Sequence, residues 1–195
     1  MKISAIIMAS GLSERMGKNK LLLDLKGKKI YEYVYDLVDQ IDFDEIILVS
    51  SYEKLLQEAQ KRGYVAIYND NNIVGKSSSI KLGVNKAKKE NAMIFFVADQ
   101  PLLTVETVEK LIAAYKKNEV ITYPRTEKRR GAPVIFPPSF RDGLLELEYD
   151  QGGMLLVKDN DKNEVLIDDI KELWDIDTYT NLEQIKDIYE WFGNI

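Results

Sequence analysis

Short runs of branched and aromatic residues alternate along the chain with longer stretches in which apolar positions recur at helical spacing. The runs at 3–9, 45–50, 65–68, 93–97 and 120–123 predict strands, and the stretches at 30–40, 54–62, 79–89 and 105–117 predict the helices between them. Such alternation predicts an α/β fold, a three-layer α/β/α, Rossmann-like arrangement whose mostly parallel sheet carries helices on both faces. Ligands bind such sheets beyond the carboxyl ends of the strands, which directs attention to the loops after residues 9 and 97.

After residue 123 the rhythm changes. A basic turn at 125–130 leads to a strand at 133–136, a short helix at 139–147, a helical turn at 153–158, a strand at 164–167 and a final helix at 182–192. No repeat, low-complexity tract or long linker interrupts the 195 residues, so one domain spanning 1–195 is expected.

Composition narrows the chemistry. The chain is 45% hydrophobic and 30% charged, the mixture of a globular protein. Its first apolar run is too short to span a membrane and lacks the basic leader and cleavage site of a signal peptide, so a cytoplasmic protein with no membrane partner is expected. With no cysteine there are no disulfides, thiolate metal sites or thiol nucleophiles, and with no histidine there is no Ser-His-Asp triad and no histidine base. Any metal must therefore be a hard ion held by oxygen. A net charge of −5 argues against nucleic acid as a partner, while local basic clusters remain able to hold phosphates.

The segment Ser10-Gly11-Leu12-Ser13-Glu14-Arg15-Met16-Gly17-Lys18-Asn19-Lys20 follows the first strand. Glycines let backbone N–H groups approach an anion, and Arg15 and Lys20 supply charge to neutralise a polyphosphate. A charged surface turn is the plainer alternative. The spacing fits neither a Walker A loop, since Asn19 follows Lys18, nor the dinucleotide-binding glycine pattern.

Gly75-Lys76-Ser77-Ser78-Ser79 opens a predicted helix, where free N–H groups and hydroxyls suit a nucleotide as well as they suit helix capping by Ser77 or Ser78. Asp99 ends the buried run Ile94-Phe95-Phe96-Val97-Ala98, where a carboxylate needs a cation or several hydrogen bonds; Mg²⁺ suits it, and Thr104 is the better cap for the following helix. Asp175 and Asp177 share a face if their segment is extended, which offers either as a second metal ligand, although acidic residues before a helix more often cap it.

Taken in order, these pieces resemble the molybdenum-cofactor cytidylyltransferases, within the MobA-like NTP transferase superfamily and the wider nucleotide-diphospho-sugar transferase fold. The run from Met8 to Leu23 is similar to that family's L-A-A-G-x-S-x-R-M-G-x-x-K-L-L, Gly75 to Ile80 to its G-x-S-S-S-L, and Ala98-Asp99-Gln100-Pro101-Leu102-Leu103-Thr104 to its A-D-Q-P-L-L-T. Arg130-Gly131-Ala132-Pro133-Val134-Ile135-Phe136 and Asp175-Ile176-Asp177-Thr178 resemble its later blocks. The chain departs from the pattern at Met154, where the family has arginine, at Ala132 and at Tyr179. Ser10 stands where the guanylyl branch has glycine, which favours CTP over GTP.

The resemblance implies an NTP-binding half at about 1–123 and an acceptor-binding half at about 124–195. It implies transfer of CMP from CTP to the phosphate of a molybdopterin-type cofactor, with pyrophosphate leaving. Arg15, Lys20 and Asp99 are the implied catalytic residues; Ala9, Ser10, Gly11, Ser13, Arg15, Lys20, Ser77, Ser78 and Ser79 hold the nucleotide; Arg129, Arg130, Gly131 and Gly152 meet the acceptor; Asp99 and Asp177 hold Mg²⁺. Arg129 or Arg130 would take over from the missing arginine. Two alternatives stand beside this: a sugar or polyol phosphate as acceptor, and a non-catalytic cofactor chaperone serving a molybdenum hydroxylase.

Overall fold

The computed structural model describes residues 1–13, 16–158 and 160–192. A seven-stranded sheet runs in the order β5-β4-β1-β6-β8-β7-β9, from β1 (Ile3–Ala9), β4 (Glu45–Ser50), β5 (Val65–Tyr68), β6 (Ala92–Val97), β7 (Ile121–Arg125), β8 (Val134–Phe136) and β9 (Lys162–Leu166). All pairs are parallel except those of β8, which runs antiparallel to both β6 and β7.

Alternation along β1 explains the layers. Ile3, Ala5, Ile7 and Ala9 pack on one face with residues of α1 (Ile30–Val38), α2 (Glu53–Lys61), α4 (Val105–Asn118) and α6 (Tyr179–Phe192). Ile6 and Met8 face the other way, against α3 (Lys76–Lys86) and α5 (Arg141–Glu146). Both faces are covered, as buried parallel strands require.

The strands expected at 3–9, 45–50 and 65–68 have those bounds, and the others shift by a residue or two. The helix expected at 79–89 is displaced more, to 76–86. It starts early because Gly75, at φ +114°, turns the chain in, and the Ser77 N–H is taken by the Tyr149 carbonyl at 3.0 Å. It stops early because Ala87 is extended, while the Arg141 guanidinium donates to the carbonyls of Ala87 and Lys88, each at 2.9 Å. Capping by Ser77 or Ser78 is thus corrected: the cap position is Gly75, and Ser78 Oγ donates back to its carbonyl at 2.8 Å. Thr104 does cap α4, accepting from the Thr107 N–H at 3.2 Å.

One element escaped the periodicity altogether. β2 (Asp24–Leu25) and β3 (Lys28–Lys29) form a small hairpin, turned by Lys26 and Gly27 at φ +53° and +84°. Positive φ at both turn residues is the geometry that matches strand twist in two-residue hairpins.

Candidate active site at the carboxyl ends of β1 and β6

The chain leaves β1 toward β4 on one side and comes back through α3 to β6 on the other. The loops after β1 and β6 consequently part and open a crevice at the point where the strand order reverses. Lys20 comes from the first loop and Asp99 from the second.

The first loop is braced from below. Ser10 is buried and its Oγ donates to the Val49 carbonyl at 3.2 Å, while Ser50 Oγ donates to the Ala9 carbonyl at 2.9 Å. Asn72 Nδ2 donates to the Ser10 carbonyl and to Ser51 Oγ, both at 3.1 Å, and the Tyr52 hydroxyl donates to the Gly11 carbonyl at 2.7 Å. These bonds fix the carbonyls of Ala9, Ser10 and Gly11. A Cβ at Gly11 would meet no atom within 4 Å, so open space lies over it. Ser13, at φ +53°, accepts from the Lys20 N–H through its Oγ at 3.2 Å and closes the loop on itself. Arg15 lies outside the described residues.

Lys20 then reaches across the crevice. Its Nζ donates to Asp99 Oδ2 at 2.5 Å and to Asp177 Oδ1 at 2.9 Å. The side chains of Lys20 and Asp99 are only 12% and 18% exposed. Burial alone would lower the lysine pKa, but the charge of Asp99 and hydrogen bonds to both carboxylates outweigh it, so the ammonium is held above its ordinary value of 10.5. Burial pushes the Asp99 carboxyl up, Lys20 opposes the rise, and Asp175 and Asp177 add to it.

The two later acidic residues meet different partners. Asp177 shares Lys20 with Asp99, whereas Asp175 accepts from Gln100 Nε2 at 2.8 Å and from Arg129 at 3.1 Å. The two segments are also joined through the backbone, the Ile176 N–H donating to the Asp99 carbonyl at 3.0 Å. Asn181, absent from the sequence expectation, accepts from the Asp177 and Thr178 N–H groups at 3.3 and 3.1 Å and so orients Asp177. An asparagine just ahead of the helix expected at 182–192, four residues after an acid, was the available signal.

The serines of α3 turn inward. Asn69 Nδ2 donates to Ser78 Oγ and Ser79 Oγ, each at 3.0 Å, and Ser77 is buried. The expected acceptor residues fall into separate places. Arg129 borders a polar cleft of about 290 Å³ with Trp174, Asp175, Asp177 and Asn181. Gly131 and Gly152 border an apolar cavity of about 150 Å³ with Met8, Lys76, Phe136 and Met154. Arg130 joins neither: it pairs with Glu164 at 3.0 Å and lies 5.5 Å over the Tyr123 ring.

Residues 5–165 match the MobA-like NTP transferase domain. The chain belongs to that family. A probable molybdenum cofactor guanylyltransferase of Natranaerobius thermophilus is similar, 32% identical over 120 residues, covering 60% of this chain and 57% of the relative. The match thus spans little more than half of that relative's length. The purine catabolism protein PucB of Bacillus subtilis is 27% identical over 199 residues, covering 93% of this chain and 94% of its own. A solved nucleotidyl transferase from Methanothermobacter thermautotroptrophicus shares the fold, with TM-score 0.82 over 98% of this chain and 99% of that one at 21% identity.

The MobA-like NTP transferases are a family of enzymes. The family match includes the loop after β1, Lys20 and Asp99, and ends before Asp177. Among the described residues no helix is long and apolar enough to cross a membrane, and no group of three or more acidic residues is clustered to hold a metal.

Proposed function

We propose that the chain transfers CMP from CTP to the phosphate of a molybdopterin-type cofactor, with the crevice between the β1 and β6 loops as the reaction site. The observation that carries the reading is the meeting of Lys20, Asp99 and Asp177 beside a braced, glycine-bearing loop. Two carboxylates from different elements converge on one cation position. Mg²⁺ commonly takes one or two carboxylates with substrate phosphates completing its shell, so these residues fit it. When bound there by Asp99 and Asp177, Mg²⁺ would neutralise charge on the phosphates.

The remaining steps belong to the chain's own groups. The braced loop offers backbone N–H groups to the triphosphate, and Lys20 supplies a buried positive charge to it. An acceptor phosphate oxygen attacks the α-phosphorus, a new P–O bond forms, and the bond to pyrophosphate breaks. The attacking phosphate is already ionised near neutral pH, so a chain without histidine lacks nothing the step needs. A role for Arg129 in meeting the acceptor's phosphate is supported by its lining the same polar cleft as Asp177, and the apolar cavity at Met154 suits an uncharged part of a ligand.

CTP is supported by Ser10, whose likeness in the guanylyl branch is glycine. Its hydroxyl is turned down to the Val49 carbonyl, so any effect on the base acts through the backbone it holds. GTP is the second reading, favoured by a relative named as a guanylyltransferase. Pyrophosphate release, recorded with each of the four NTPs against the pterin cofactor and against sugar phosphates, tests both. Release with CTP and the pterin is expected; release only with a sugar or polyol phosphate would replace the acceptor, and no release with any pair would remove the reaction.

A further inference from the structure

In the free protein Lys20 already occupies the cation position that the proposed reaction assigns to a divalent metal. Its ammonium is in direct contact with one oxygen of Asp99 and one of Asp177. These carboxylates come from the end of β6 and from the segment ahead of α6, and Asp175 adds a further negative charge nearby. Held together in a crevice, such groups repel one another unless a cation lies between them. Lysine meets that need here with a single positive charge.

We propose that Lys20 is a built-in counter-ion that keeps divalent metal out of the Asp99–Asp177 pair until a nucleotide arrives to take the ammonium. The inference rests on the reading of this crevice as a nucleotidyl-transfer site. A metal entering the free protein must expel the ammonium and leave it buried without a partner, which is costly. A triphosphate changes the balance, because its oxygens give the ammonium a new partner at the moment the carboxylates are released. Metal and nucleotide then assist each other's binding, and by linkage the assistance is equal in both directions.

The local structure suits such an exchange. The Lys20 N–H is held by Ser13 Oγ, and the adjacent Leu21 is buried in the core. The backbone is therefore anchored, and the exchange needs only rotation about the bonds of a long side chain. A competing role, in which Lys20 simply neutralises phosphate, predicts no effect on metal binding when nucleotide is absent.

The test is Mn²⁺ binding to the full chain, read from the electron paramagnetic resonance signal of free Mn²⁺, without nucleotide and with CTP. Lys20→Met and Lys20→Gln are compared with the parent, and circular dichroism establishes that each variant is folded. Without nucleotide, the variants are expected to bind Mn²⁺ at least tenfold more tightly than the parent. The enhancement by CTP seen in the parent should shrink correspondingly. Adding Asp99→Asn to Lys20→Met should abolish the gain. Unchanged or weaker Mn²⁺ binding in both folded lysine variants overturns the counter-ion role, and leaves the transfer reading standing if pyrophosphate is still released by the parent. If Asp99→Asn does not alter Mn²⁺ binding even with CTP, the carboxylate pair is not the metal site and the counter-ion role falls with it.

Discussion

The Tyr149 carbonyl oxygen lies 2.7 Å from the point where a Cβ on Gly75 would stand, and Asp150 Oδ1 lies 2.6 Å from it. The turn at 149–150 is therefore pressed directly onto the start of α3, where it also takes the Ser77 N–H. Gly75 permits this twice over, by its φ of +114° and by having no side chain. Gly75→Ala is expected to destabilise the fold by about 1–3 kcal/mol, from strained backbone and overpacking together. Thermal denaturation checks it, and an unchanged midpoint would show that the turn is not held where described.

The carboxylates of the crevice should separate by role. Asp99→Asn keeps the shape but loses the charge, so most turnover should vanish while the fold persists. Asp177→Asn should raise the Mg²⁺ concentration needed for half-maximal rate. Asp175→Asn instead weakens the charge-assisted bond to Arg129, a part-exposed pair, with an expected cost of about 0.5–1 kcal/mol and a smaller effect on rate. Denaturation and Mg²⁺ titrations of the three variants test the assignment; equal Mg²⁺ dependence in the Asp175 and Asp177 variants would defeat it.

What was legible follows from the range of each interaction. Runs such as Ile3 to Ala9 announce a buried strand because pattern and burial are local, and Asp99 at the end of such a run announces a charge that needs a partner. The partner is not announced: Lys20 lies 79 residues from Asp99 and 157 from Asp177. That Asp175 meets Gln100 and Arg129 while Asp177 meets Lys20, and that α3 starts against the turn at Tyr149, are long-range facts of the same kind. Local spacing carries no information about these. The β2–β3 hairpin was missed because two-residue strands show no alternation; Lys26-Gly27 was its only local signal.

The two arginines of the basic turn should behave differently. Arg129 borders the polar cleft beside Asp177, whereas Arg130 is engaged by Glu164 and Tyr123. Arg129→Ala is expected to raise the acceptor KM severalfold with little change in the KM for CTP. Arg130→Ala should leave both nearly unchanged. A rise in the CTP KM for Arg129→Ala would move this side of the cleft to the nucleotide.

Acid stability should owe part of its slope to Asp36. Burial would raise this carboxyl, but hydrogen bonds from Lys28 and Arg62 override it, so its pKa lies below the ordinary 3.8 when folded. A group depressed in the folded state gives stability that is present above its unfolded pKa and lost as pH falls through the folded one. Asp36→Asn should therefore lower stability at neutral pH and flatten the pH dependence below about 4. Urea denaturation at pH 7 and at pH 3 measures both, and a parallel offset at the two values would remove Asp36 from the acid limb.

Nucleotide choice is the finest discrimination asked of the crevice. Ser10 ties the loop to the end of β4 through Val49, and Asn72 and Tyr52 hold the carbonyls of Ser10 and Gly11 from the same side. A loop fixed by this many bonds presents one spacing to a base, and the side chain at Ser10 sets how closely the backbone can settle against β4. Glycine there would remove the bond to Val49 and leave room for the larger purine. We expect kcat/KM to favour CTP over GTP in the parent, and Ser10→Gly to narrow the ratio by raising the GTP value. Parent values that are equal, or that favour GTP, would transfer the assignment to a guanylyl donor. A parent that prefers CTP, with a ratio unmoved in Ser10→Gly, would keep the donor but place its selection elsewhere in the crevice.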